Sequence, residues 1–100
     1  MHLTPKELDR LTIFTVAEMA RRRKSKGIKL NHPEAMGLIT DEVMEQARAG
    51  MPYEQISRYA KTLLTKDDVL DGVPELLNEV LIEAGFKDGT KLIVIDNPIE

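Results

Sequence analysis

Apolar residues recur every three or four positions through the first sixty residues, which is the period of an amphipathic α-helix. The first stripe includes Leu8, Leu11 and Met19. Thr4 lies three residues before a glutamate, and this is the spacing of a capping box at a helix start. A basic run and a glycine follow the stripe, as is typical of a helix end. The pattern predicts a helix over about residues 5–26.

Two further helices are predicted by the same signals. Asn31 is a typical N-cap residue and Gly50 a typical stop signal, so a second helix is expected between them. A shorter third helix follows Pro52, with Ile56 and Ala60 on its apolar side. A short capped turn and a loop then complete the helical part of the chain, which ends near residue 77.

The period changes from helical to alternating near residue 79, which indicates β-strands. Asp88-Gly89 lies between two such stretches and is a strong hairpin signal. We therefore predict a β-hairpin over about residues 79–96. The fold class is α+β, with about three helices followed by a C-terminal β-hairpin, in one domain that spans residues 1–100.

The second predicted strand is apolar on both faces. Leu92 and Val94 are expected to face the helices, which leaves Ile93 and Ile95 on the outer side beside Leu81. An exposed apolar face is an aggregation hazard unless it is covered. We expect a neighbouring chain to cover these three outer residues. The alternative is that the helices of this chain wrap the hairpin more fully.

The composition narrows the chemistry. The chain has no cysteine and only two histidines, His2 and His32, so thiolate nucleophiles and cysteine-ligated metals are excluded. The chain has a small acidic group, Asp67, Asp68 and Asp71. Acidic residues at helix starts complement the helix dipole, and this explains the group better than catalysis or cation binding does. We predict no catalytic and no metal-binding residue on this chain. A cysteine-free chain without an apolar run of membrane-spanning length is consistent with the cytoplasm.

The basic run at the end of the first helix contains Arg21, Arg22 and Arg23. The simplest interpretation is a helix C-terminus that favours cations. A second is a polar contact with a partner protein, since arginine forms bidentate pairs with carboxylates. A third is phosphate binding by a small nucleic-acid-binding protein. The formal net charge of −3 and the lack of aromatic residues within the run make the third the weakest.

Three segments carry a family resemblance when they are taken together and in order. They are L-N-H-P-E-A at residues 30–35, G-V-P-E at residues 72–75 and D-G-T-K-L at residues 88–92. With them, essentially the whole chain resembles the gamma subunit of urease. Three residues depart from the family pattern: the family commonly has Tyr in place of His32, Pro in place of Lys87 and His in place of Asp96. These departures concern only partner contacts.

The resemblance implies a non-catalytic structural subunit of nickel-dependent urease, which hydrolyses urea to ammonia and carbon dioxide through carbamate. It implies two nickel ions, both on the alpha subunit, and no cofactor on this chain. The implied partners are the alpha and beta subunits, or a fused equivalent, in a trimer of heterotrimers in the cytoplasm. It implies neither nucleic acid nor membrane as a partner.

Overall fold

The computed structural model describes residues 1–100 and confirms the α+β class, with the helices first and one antiparallel hairpin last. A short 3₁₀ helix precedes the last helix. The elements in chain order are α1 (Pro5–Ser25), α2 (His32–Ala49), α3 (Tyr53–Ala60), the 3₁₀ helix (Lys66–Asp68), α4 (Val73–Leu76), β1 (Glu79–Phe86) and β2 (Gly89–Asp96).

Both long helices begin with a complete capping box. In α1, the Thr4 hydroxyl accepts a hydrogen bond from the Glu7 N–H at 3.2 Å, and the Glu7 carboxylate accepts one from the Thr4 N–H at 2.8 Å. Asn31 and Glu34 make the same reciprocal pair at the start of α2. Gly50 ends α2 with a φ of 105°, a left-handed conformation that favours glycine. These local signals explain why the predicted boundaries lie close to the observed ones.

Helix α2 is the centre of the molecule, because α1 packs on one part of its surface and the hairpin on another. Of α1, only Ala20 belongs to the main apolar core. The two helices come close where Gly37 of α2 lies beneath Val16 of α1. A Cβ atom on Gly37 would lie 2.6 Å from Val16 Cγ1, so the contact depends on this glycine. The core itself is formed by α2, α3, the segments that follow α3 and the inner face of the hairpin.

Only part of the apolar stripe that predicts α1 faces α2, since Val16 lies against Gly37 and Ala20 is in the core. Leu8, Leu11 and Met19 are each about half exposed, and so is Phe14 on the same outward side. The side of α1 that meets α2 instead carries small apolar residues, including the fully buried Ala17, and arginines that reach carboxylates of α2. The helix prediction is confirmed, although α1 is apolar on two sides.

The prediction for the faces of β2 is wrong. Ile93 and Ile95 are buried in the core, with exposed fractions of 2% and 0%, whereas Leu92 and Val94 face outward. The hairpin loop has two residues, so Phe86 lies opposite the first residue of β2 and Ile82 lies opposite Ile93. Directly opposite residues share a face of the sheet. This register places both isoleucines against the helices.

Candidate interaction surface

The outer face of the hairpin is an exposed apolar surface. Leu81 of β1 lies directly opposite Val94 of β2, and Leu92 is the next outward residue of β2. Their exposed fractions are 58%, 44% and 58%. We call these three residues the outer hairpin patch. Leu81 therefore lies outward as predicted, but its apolar neighbours are Leu92 and Val94, and the two isoleucines of β2 are not part of this surface.

Charged residues border the patch. Glu83 lies opposite Leu92, and Lys6 of α1 reaches its carboxylate at 3.4 Å. Both side chains are largely exposed, so this ion pair contributes little to stability.

An open groove of about 770 Å³ separates the adjacent edge of β1 from α1 and α2. Arg10, Glu45 and Arg48 are among the charged residues that line the groove.

Two arginines of the basic run form ion pairs within the chain. Arg21 pairs with Asp41 and with Glu42 of α2, and the Arg21 Nε atom donates to Glu42 Oε1 at 3.0 Å. Arg23 pairs with Glu34 at the start of α2. Arg22 differs, since its side chain is 76% exposed and its nearest carboxylate is 3.6 Å away on α1 itself. Of the three predicted contact residues, Arg22 is the most available to a partner.

The ion pairs between α1 and α2 centre on Asp41, whose side chain is almost completely buried. Its Oδ1 atom accepts from Arg10 Nη1 at 2.7 Å, while Oδ2 accepts from Arg21. Partial burial opposes the charge of Arg21, but hydrogen bonds to Asp41 and Glu42 outweigh it and raise the pKa of Arg21. Arg21 therefore stays charged, and its ion pairs and those of Arg10 hold α1 on α2.

Tyr59 of α3 joins the same cluster. Its hydroxyl donates a hydrogen bond to Glu42 Oε2 at 3.1 Å. Partial burial raises the pKa of Tyr59, and the negative charge of Glu42 adds to this effect. One group of charged and polar side chains thus connects the first three helices.

Sequence reasoning missed Asp41. The available signal was a carboxylate within the apolar stretch of α2, between Ile39 and Val43, where an unpaired charge would be costly. Its two partners, Arg10 and Arg21, are distant in sequence from Asp41. Helical spacing alone does not identify them.

The acidic and histidine residues that were weighed as candidates lie in the 3₁₀ helix, at the start of α2 and in turn or coil segments. Asp68 caps the 3₁₀ helix, where its carboxylate accepts the Thr65 N–H at 2.8 Å. His32 is the first residue of α2. No group of three or more His, Cys, Asp or Glu side chains is placed to hold a metal ion.

None of the helices combines the length and the apolar character that crossing a membrane requires.

Two comparisons with known proteins agree. The family model described as "Urease, gamma subunit" matches residues 1–99. A protein from Natronomonas pharaonis named "Urease subunit gamma" is 57% identical over 99 residues, which cover 99% of this chain and 91% of that protein. The similarity therefore extends over the helices and the hairpin alike.

Proposed function

Because this chain belongs to the urease gamma-subunit family and is a structural, non-catalytic subunit of urease, we propose that it assembles with the alpha and beta subunits, or a fused equivalent, into a hetero-oligomer. The urease complex hydrolyses urea to ammonia and carbon dioxide. The proposed complex is a trimer of heterotrimers in the cytoplasm. The observation that carries the proposal is the family match along the whole chain.

Nickel belongs elsewhere in this proposal. A dinuclear metal centre needs several imidazole and carboxylate ligands in one place. This chain has only His2 and His32, and its acidic side chains form no group suited to a metal ion. The residues present therefore do not fit a dinickel site, and we assign both nickel ions to the alpha subunit.

The outer hairpin patch is the surface that we propose a neighbouring subunit covers. A two-stranded sheet is marginally stable by itself, and here its inner face is already packed on the helices. Large apolar side chains are left on the other face at Leu81, Leu92 and Val94. Apolar surface of this kind is typical of protein interfaces. Arg22 is the cation of the basic run that we propose contacts a partner.

Co-expression with the other urease subunits tests the assembly. Wild-type chain is expected to co-purify with them, and the complex, but not the isolated chain with added nickel, is expected to hydrolyse urea. Leu92→Asp should reduce assembly while leaving the isolated chain folded, because Leu92 is outside the core. Leu76→Asp is a matched control on α4, where the side chain is also exposed.

Native mass spectrometry measures the assembled fraction, and circular dichroism checks the fold of each isolated variant. If Leu92→Asp assembled as well as Leu76→Asp, the outer hairpin patch would not be the interface. Hydrolysis of urea by the isolated wild-type chain would contradict its non-catalytic role.

A further inference from the structure

Two acidic residues lie directly opposite each other in the hairpin, beside the outer hairpin patch. Glu79 and Asp96 are directly opposite in the register, and both are exposed. The next pair along the strands, away from the hairpin loop, is Asn78 and Asn97. This pair is hydrogen-bonded, since the Asn97 N–H donates to the Asn78 carbonyl at 2.8 Å. Hydrogen-bonded and non-hydrogen-bonded pairs alternate in an antiparallel ladder. Glu79 and Asp96 are thus a non-hydrogen-bonded pair, the type in which side chains come closest.

This pair has no compensating cation within the chain. Lys6 and Lys91, the lysines that pair with hairpin carboxylates, bind Glu83 and Asp88 respectively. No Lys, Arg or His nitrogen lies within ion-pair distance of Glu79 or Asp96. Like charges directly opposite each other destabilise a hairpin. We therefore expect this pair to destabilise the isolated chain slightly, at the edge of its exposed apolar face.

The position of the pair indicates what it binds. Leu81 and Val94 form the next outward-facing pair along the hairpin, so the carboxylates border apolar side chains. A chain that packs on the patch brings its own side chains beside Glu79 and Asp96. We propose that the covering segment of another urease subunit inserts an arginine or lysine between these two carboxylates. Arginine suits the position best, because its planar guanidinium bonds two carboxylates at once.

Charge complementarity is the argument for this partner. A negatively charged edge on an apolar surface selects a segment that combines apolar side chains with a cation, and it disfavours an acidic segment. The inference rests on the proposed assembly of this chain with other urease subunits and adds the chemistry of one contact to it. It assigns Glu79 and Asp96 a role in partner selection that the fold of the chain does not require.

Neutralising the pair gives opposite effects on folding and on assembly, which makes the test specific. In Glu79→Gln and Asp96→Asn, the melting temperature of the isolated chain should stay equal or rise, because repulsion is removed. Affinity for the other urease subunits of the same organism should fall by about tenfold per carboxylate, as expected for loss of a hydrogen bond to a charged group. The affinity that remains should depend less on salt.

Glu83→Gln is the matched control, since it removes an acid from the same strand and face whose charge Lys6 already compensates. It should change affinity less than either variant of the pair. Affinities equal to wild type in Glu79→Gln and Asp96→Asn would overturn the inference, while wild-type assembly would leave the proposed function intact. A fall in the melting temperature of Glu79→Gln and Asp96→Asn that parallels their loss of affinity would also overturn the inference. So would self-association of the isolated wild-type chain, if Asp96→Asn abolished that self-association. Failure of the wild-type chain to assemble would instead refute the proposed function itself.

Discussion

Replacing Asp41 with asparagine should destabilise the chain more than any other loss of a single negative charge. The Asp41 carboxylate accepts from two guanidinium groups, those of Arg10 and Arg21, and has an exposed fraction of only 1%. Asparagine keeps the shape but offers one acceptor oxygen and one donor NH₂ group, whereas arginine has only donors. In Asp41→Asn, one guanidinium therefore loses its acceptor and faces a donor.

The expected magnitude follows from the burial of the partners. Hydrogen bonds to charged groups contribute about 1.5–3 kcal/mol each. The side chains of Arg10 and Arg21 are 32% and 29% exposed, so water compensates part of the loss. We expect the free energy of unfolding to fall by about 2–3 kcal/mol. For a domain of this size, that lowers the melting temperature by about 10–20 °C.

Urea unfolding at pH 7, followed by circular dichroism, measures this effect. Glu45→Gln is the matched control, because Glu45 also pairs with Arg10, at 2.9 Å, but its side chain is 64% exposed. It should cost less than about 1 kcal/mol. Equal losses for Asp41→Asn and Glu45→Gln would refute the reasoning that burial makes the Asp41 pairs strong.

Two further outcomes test other contacts between the helices. Gly37→Ala should destabilise the chain by about 1–3 kcal/mol, because the added Cβ would overlap Val16. In thermal unfolding, adding Val16→Ala to this variant should restore much of the lost stability. If the double variant recovered nothing, the close approach of the two helices would be unimportant. Since partial burial and a neighbouring carboxylate raise the pKa of Tyr59, the unfolded chain ionises first and stability should decline as pH rises above about 10. Tyr59→Phe should weaken that decline in unfolding experiments, and an identical pH profile would contradict the assignment.

The helices could be predicted because their signals are local. The capping boxes at Thr4 and Asn31 depend on residues three positions apart, and they fix the helix starts whatever the rest of the chain does. The outward face of α1 could not be predicted in the same way. Apolar residues lie on both sides of this helix, so periodicity does not decide which side meets α2.

The error in β2 has a different cause, since the sequence did contain the deciding signal. Leu92 and Val94 would face the helices only if the hairpin loop had an odd number of residues. An Asp-Gly pair is typical of a two-residue loop, and any two-residue loop here places Ile93 on the same face as Ile82. Because both faces of β2 are apolar, the hydrophobic pattern alone could not correct the assignment.

Because α1 is attached through charged contacts, we expect its local stability to differ from that of the rest of the chain. Only Ala20 of α1 enters the main apolar core, and the ion pairs of Arg10 and Arg21 lie close enough to water to be weakened by salt. Native proteins open locally where apolar contacts are fewest. The amide hydrogens of α1 should therefore exchange with solvent sooner than those of α2 and β1, and added salt should widen the difference. We therefore expect the first helix to open separately, while α2 and the hairpin stay folded.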